Sequence, residues 1–126
     1  MNLVDSSGWL AYFADEPGAE HFQEPLHDPA SLIIPTVVIF EVYKVILRES
    51  SEHNALQAAS VMQKGTILDL TPQLAIAAAK VGLQHRIPMA DSIIYAAAHL
   101  YKALVWTQDA DFENLPGVKY FPRLVT

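Results

Sequence analysis

Five carboxylates in this chain have surroundings that suggest chemistry: Asp5, Glu41, Asp91, Asp109 and Asp111. Asp5 closes the short apolar stretch Asn2 to Asp5. Glu41 interrupts the run Val37 to Leu47. Asp91 lies in MADSIIYAAA, and Asp109 and Asp111 lie two apart in TQDADF. Carboxylates forced close together repel, and their pKa values rise unless a cation neutralises them. The donors on offer are all oxygen, which favours hard Mg²⁺ or Mn²⁺ over softer metals. A cation held that way polarises a phosphate and activates water, the chemistry of phosphodiester hydrolysis.

Each acid also has a plainer role open to it. Asp5 can cap a helix N-terminus. Glu41 can pair with Lys44, one turn further on. If it does not, a carboxylate in a helix apolar on nearly every side must be protonated or metal-bound. Asp91, in the first turn of a helix, complements the helix dipole. One member of the Asp109–Asp111 pair can shape the turn by bonding its own backbone, which frees the other for a metal. Asp109 is favoured for the chemistry, with Asp111 the second candidate. Glu41, Lys44 and Arg48 share one helical face. Lys44 and Arg48 can therefore meet phosphates beside the metal or an acidic partner segment, or simply be solvated.

The elements that must position these acids follow from pattern. Asn2 to Asp5 reads as a buried strand, and Ser6 or Ser7 as the cap of a helix from Trp9 to Ala14. Ala19 to Leu26 reads as a short helix and Leu32 to Ile34 as a strand. Pro35 is placed to open a long helix reaching Glu49. Glu52 to Lys64 is helical and stops at Gly65. Thr66 to Leu70 alternates as a strand. Thr71-Pro72 opens a helix to about His85, in which Gly82 costs about 1 kcal/mol relative to Ala and so signals close packing. Ala90 to Tyr101 is a further helix, Leu104 to Trp106 a strand, Gln108 to Asn114 a polar turn, and Val118 to Phe121 a last strand. Strands alternating with helices imply an α/β domain with a mostly parallel central sheet of four or five strands. Residues 1–126 are read as one domain. In open parallel sheets, ligands sit beyond the carboxyl ends of the strands. The loops after Asp5 and before Asp109 should therefore open on the same edge.

Composition narrows the classes. The 126 residues are 52% hydrophobic, enough for a core. A mean hydropathy of +0.19 hints at a further apolar face, for a second copy or a partner. There is no cysteine, so disulfides, zinc–thiolate sites and Cys nucleophiles are excluded. The five histidines show no ligand spacing, and there is no glycine-rich phosphate loop and no nucleophile elbow. No stretch reaches the roughly 18 uninterrupted apolar residues of a membrane span, and no signal peptide is evident, so the expected location is cytoplasmic. The net charge of −6 argues against a non-catalytic nucleic-acid binder. It argues less against a metal nuclease, whose acids must cluster around a cation.

Four segments in order, LVDSSGWLAYF, IPTVVIFEVYKV, MADSIIYAAA and VWTQDADFENLPGVKYF, resemble the PIN domain. Within that family the chain is most similar to the VapC-type toxins of prokaryotic toxin–antitoxin pairs. The resemblance spans essentially the whole chain. It implies a three-layer α/β/α fold and Mg²⁺- or Mn²⁺-dependent cleavage of RNA. It also implies a homodimer and inhibition by a cognate antitoxin. The family's acidic quartet falls on Asp5, Glu41, Asp91 and Asp109, with Asp5 and Asp91 as the most direct metal ligands. Ser6 and Thr107 match its hydroxyl positions, and Asp111 an acid often beside the fourth. Two other readings are a non-catalytic PIN-like interaction module and a receiver-type phosphoacceptor domain. The second wants an acidic pair after the first strand, where this chain has Asp5-Ser6-Ser7.

Overall fold

The computed structural model describes residues 1–124. Five short strands carry the fold: β1 (Asn2–Val4), β2 (Ile33–Pro35), β3 (Thr66–Leu68), β4 (Leu104–Thr107) and β5 (Val118–Tyr120). β1, β4 and β5 form one parallel sheet in the order β1-β4-β5, and β2 pairs in parallel with β3. A single parallel bridge, Asn2 to Leu32, links the two. The strands are rich in β-branched residues, and Leu3, Val4, Ile33, Ile34 and Val105 are fully buried. Such near-continuous burial is expected of strands covered on both faces.

The helices are α1 (Ser6–Phe13), α2 (Gln23–Leu26), α3 (Thr36–Glu49), α4 (Glu52–Met62), α5 (Pro72–His85) and α6 (Met89–Leu100). They flank the strands in the expected α/β/α arrangement. α6 buries nearly everything from Asp91 to Ala98, with small alanines that let β4 and the neighbouring helices approach.

Several boundaries differ from the sequence reading. The cap of α1 is Asp5, not Ser6 or Ser7, and the helix starts at Ser6. Pro35 is the last residue of β2 and has extended backbone (φ −61°, ψ 138°), so α3 begins one residue later. β3 ends at Leu68, not Leu70. The segment Ala19 to Leu26 is a 3₁₀ turn followed by one α turn. α3 is not buried all round: Val38 and Val42 are buried, whereas Phe40 is 62% exposed. Its apolar residues outnumber the core positions the fold offers, leaving a face that periodicity alone could not assign.

Two glycines mark close approaches. A Cβ on Gly8 would lie 2.5 Å from Val4 Cγ1 and 2.8 Å from the Phe22 ring, so only glycine lets the first turn of α1 sit there. A Cβ on Gly82 would collide with Ser92 Oγ and lie 3.2 Å from Ser92 Cβ. The Ser92 hydroxyl is tied down by donating to the Pro88 carbonyl at 2.8 Å. Gly82→Ala is therefore expected to destabilise by about 1–2 kcal/mol despite the better helix propensity of alanine. A urea midpoint at or above wild type would show that α5 and α6 can separate freely.

Candidate metal-binding acidic site

The site forms where β1 and β4 end side by side. Their parallel register pairs Val4 with Trp106, so the residues that follow, Asp5 and Thr107, emerge together. Asp5 is 1% exposed. Its Oδ1 accepts from the Gly8 amide (3.1 Å) and the Ser7 hydroxyl (2.7 Å), and its Oδ2 accepts from the Thr107 hydroxyl (2.6 Å). The Thr107 hydroxyl also accepts from the Asp109 amide at 2.8 Å. The Ser7 hydroxyl accepts from the Gln108 amide at 3.1 Å. Two hydroxyls thus lock the first acid to the loop that carries the fourth. Sequence reasoning selected Thr107 but saw Ser7 only as a possible cap.

Asp5 caps α1 through Oδ1, while its Oδ2 accepts from Thr107 across the strand ends. Burial pushes its carboxyl up to about 6, against the lowering effect of its hydrogen bonds from Thr107, Ser7 and Gly8. The nearby Asp109 charge adds to the rise.

Glu41 is half-buried and projects from α3 toward Ser6, whose hydroxyl donates to Glu41 Oε1 at 3.0 Å. The alternative pair with Lys44 is absent among the described residues; the ion pair there is Arg48–Glu49, between two exposed side chains. Lys44 lies instead over the Phe40 ring at 5.7 Å. Burial raises the Glu41 carboxyl, Ser6 lowers it, and Asp109 raises it further.

Asp91, 8% exposed, sits in the first turn of α6. Burial pushes it up to about 8, helped by the charge of Asp109, a hydrogen bond and charge from Asp111, and the charge of Asp5. Carboxylate oxygens of Asp91, Asp109 and Asp111 lie within 4.8 Å of one another. Asp5 and Glu41 stand outside that tight group, yet the charge of Asp109 reaches both. Asp109 and Asp111 both belong to that group. Asp109 caps the 3₁₀ turn by accepting from the Asp111 amide at 2.9 Å, and it still faces the other acids. The cap occupies one oxygen and leaves the second available. The donor chemistry, three hard carboxylates converging within one cation's reach, fits Mg²⁺ or Mn²⁺.

A cavity of about 460 Å³ meets the acidic site at Asp109. Its lining includes Ser6, Ser7, Gln108, Asp109, Tyr120 and Arg123. Tyr120 and Arg123 were missed from sequence. The carboxyl-end rule, applied to the last strand as it was to the first, points to them. Lys44 and Arg48 border neither this cavity nor the larger groove beside it.

The family model of the PIN domain matches residues 3–118. The chain belongs to the PIN domain family. This membership removes the receiver-type alternative. Several solved structures share the PIN fold. A toxin–antitoxin complex from Klebsiella pneumoniae superposes with a TM-score of 0.81 at 21% identity, covering 98% of this chain and 100% of that one. VapC20 of Mycobacterium tuberculosis, described as a sarcin–ricin-loop-cleaving toxin, gives 0.81 at 18% identity, with 97% and 100% covered. A DNA-bound VapBC complex from Salmonella typhimurium gives 0.77 at 17%, with 97% and 98% covered. At these identities the likeness is one of fold. No curated protein sequence matches the chain significantly. No helix among the described residues of this PIN domain is long and apolar enough to cross a membrane.

Proposed function

We propose that the chain is a single PIN domain acting as a metal-dependent endoribonuclease, the toxin of a toxin–antitoxin pair. The observation that carries this reading is the convergence of Asp91, Asp109 and Asp111 oxygens within 4.8 Å, beside the buried Asp5 and Glu41. Like charges so crowded are costly, and a divalent cation offsets the cost. Asp91 and Asp109 are the ligands we assign, with Asp5 completing the set and Asp111 as reserve. When bound, Mg²⁺ or Mn²⁺ would polarise the scissile phosphate and lower the pKa of a water.

Glu41 is suited to take the proton of the attacking water. It has one hydrogen-bond donor, Ser6, and its remaining lone pairs are free among the described residues. Its raised pKa brings it nearer the working pH, which favours general-base catalysis. Asp109 holds the loop in register through Thr107 and is the second candidate for orienting that water. The water oxygen bonds to phosphorus as the bond to the 3′-oxygen breaks. Glu41 receives the water proton, and the departing 3′-oxygen is protonated from solvent. The products are a 5′-phosphate and a 3′-hydroxyl.

The neighbours' descriptions as toxins and toxin–antitoxin complexes support a cognate antitoxin as partner. A groove of about 820 Å³ lined by Leu10, Phe13, Val45, Ile46 and Val61, with Glu16, Glu49 and Arg123 also on its wall, suits a largely apolar segment of it. Exposed Ile76, Leu83 and Met89 suit a homodimer face. The lack of cysteine is compatible with work in a reducing cytoplasm.

The test is incubation of antitoxin-free protein with cellular RNA in Mg²⁺ or Mn²⁺, then with EDTA. Defined fragments that appear only with metal are the expected result. Metal binding without cleavage of any RNA would favour the non-catalytic interaction module.

A further inference from the structure

Arg123 lies beyond β5, outside every motif that drew attention in the sequence. Its neighbours in the cavity beside the acids are Ser6, Ser7, Gln108, Asp109 and Tyr120. Among the described residues it is the one cation lining that cavity. It forms no ion pair with a described carboxylate, the pair there being Arg48–Glu49. Its side chain is exposed, so the guanidinium keeps its donors for a ligand.

The rest of the molecule makes this position matter. Net charge is −6, and the cavity shares its Asp109 wall with the acidic cluster. An incoming RNA strand meets net repulsion from this chain, and a cation beside the acids offsets it locally. Lys44 and Arg48, the cations singled out from sequence, border neither cavity. A guanidinium stays charged at any working pH and grips a phosphate through two parallel hydrogen bonds. The cavity is lined by Ser6, Ser7 and Asp109, so a group bound there lies beside one acid of the cluster.

We propose that Arg123 binds a backbone phosphate of the single-stranded RNA substrate next to the scissile one, and so sets the strand's register over the acids. The inference rests on the nuclease reading above. It assigns Arg123 to substrate binding, not to metal binding or proton transfer. An acidic segment of a protein partner offers similar chemistry. Arg123 also lines the larger groove, but an acidic segment there would have to share it with Glu16 and Glu49. On the other side Arg123 shares its cavity with Asp109 of the acidic cluster, which favours the RNA.

The test uses the full chain carrying Asp91→Asn, so that RNA is bound and not cut. The probe is a fluorescein-labelled single-stranded RNA of randomised sequence, titrated at several salt concentrations. Arg123→Ala is expected to bind at least about tenfold more weakly, the loss of its charge-assisted contact with one phosphate. Its plot of log affinity against log salt should be shallower by about 0.7, the value for one phosphate contact on a single strand. Arg123→Lys should regain much of the affinity and all of the slope. Lys80→Ala, on exposed α5 and away from both cavities, should change neither. In the cleaving background, Arg123→Ala should raise KM more than it lowers kcat, with Mn²⁺ affinity and Tm as in wild type. Unchanged RNA affinity and slope in Arg123→Ala would overturn the assignment. So would unchanged RNA binding together with weakened binding of a protein partner. Metal-dependent cleavage by the wild type alongside an unaffected Arg123→Ala would sink this inference alone. A wild type that neither binds nor cuts RNA would sink the nuclease reading with it.

Discussion

Asp91→Asn should abolish metal-dependent RNA cleavage, by about a thousandfold or more, while making the metal-free protein more stable above pH 8. The first effect follows because Asp91 supplies one wall of the three-carboxylate group, and an amide cannot replace its charge. The second follows from its environment. Burial and the charges of Asp109, Asp111 and Asp5 push the carboxyl up to about 8 from the usual 3.8. A carboxyl that holds its proton more tightly when folded contributes stability that is full below its unfolded pKa. That stability is lost as pH rises through the folded value. Asp5, at about 6, acts in the same direction. The metal-free wild type should therefore lose stability between about pH 4 and pH 8. Asp91→Asn should lose less over that range, because one titrating group has gone. Mg²⁺ or Mn²⁺ should restore the wild type at alkaline pH, by about 2.7 kcal/mol at a hundredfold excess over Kd, and should not restore the variant. Thermal melts at a series of pH values, in EDTA and in metal, measure all of this. A wild type equally stable at pH 5 and pH 8 in EDTA would mean that the acids do not repel as described.

Asp5 offers a second large effect, separable into chemistry and structure. Asp5→Asn and Asp5→Ala should both lose cleavage by about a thousandfold. They should differ in stability, with the alanine variant weaker by about 2–3 kcal/mol. Asparagine keeps an oxygen to accept from the Gly8 amide and the Ser7 hydroxyl, so the cap of α1 survives. Its amide faces Thr107, whose hydroxyl can turn and accept. Alanine keeps none of this and leaves the Gly8 amide and two buried hydroxyls without their acceptor. Denaturant midpoints for the two variants give the difference directly. Equal midpoints would show that Asp5 is not the cap that organises the first turn of α1.

The double duty of Asp5 shows how far the residues alone could be read. Alternating strands and helices, the break at Pro35, and the cap Thr71 are local signals, and the α/β order came through with boundaries up to three residues off. Asp5 could be read as cap or ligand because each role is a property of one side chain. That one oxygen does the first while the other faces Thr107 depends on a strand 100 residues away. Glu41 shows the opposite error. Its apolar neighbours suggested burial on every side, and a pair with Lys44 stood open as the alternative to a metal. The fold covers only part of α3, leaves Phe40 in solvent and turns Glu41 toward Ser6. Which face of an over-apolar helix meets the core is set by the other layers, not by the helix.

By itself the sequence determined the element types, the absence of thiol chemistry, and the set of acids from which a hard-metal site could be built. Those depend on residue type and on spacing within a few turns. The tertiary structure decided the rest. Parallel pairing of β1 with β4 set Asp5 beside Thr107, and packing of α6 brought Asp91 to Asp109 and Asp111. Parallel pairing of β5 with β4 carried Tyr120 and Arg123 to the same edge. These groups lie far apart along the chain, and distances between such groups follow from strand order and helix packing, which no short stretch of sequence encodes.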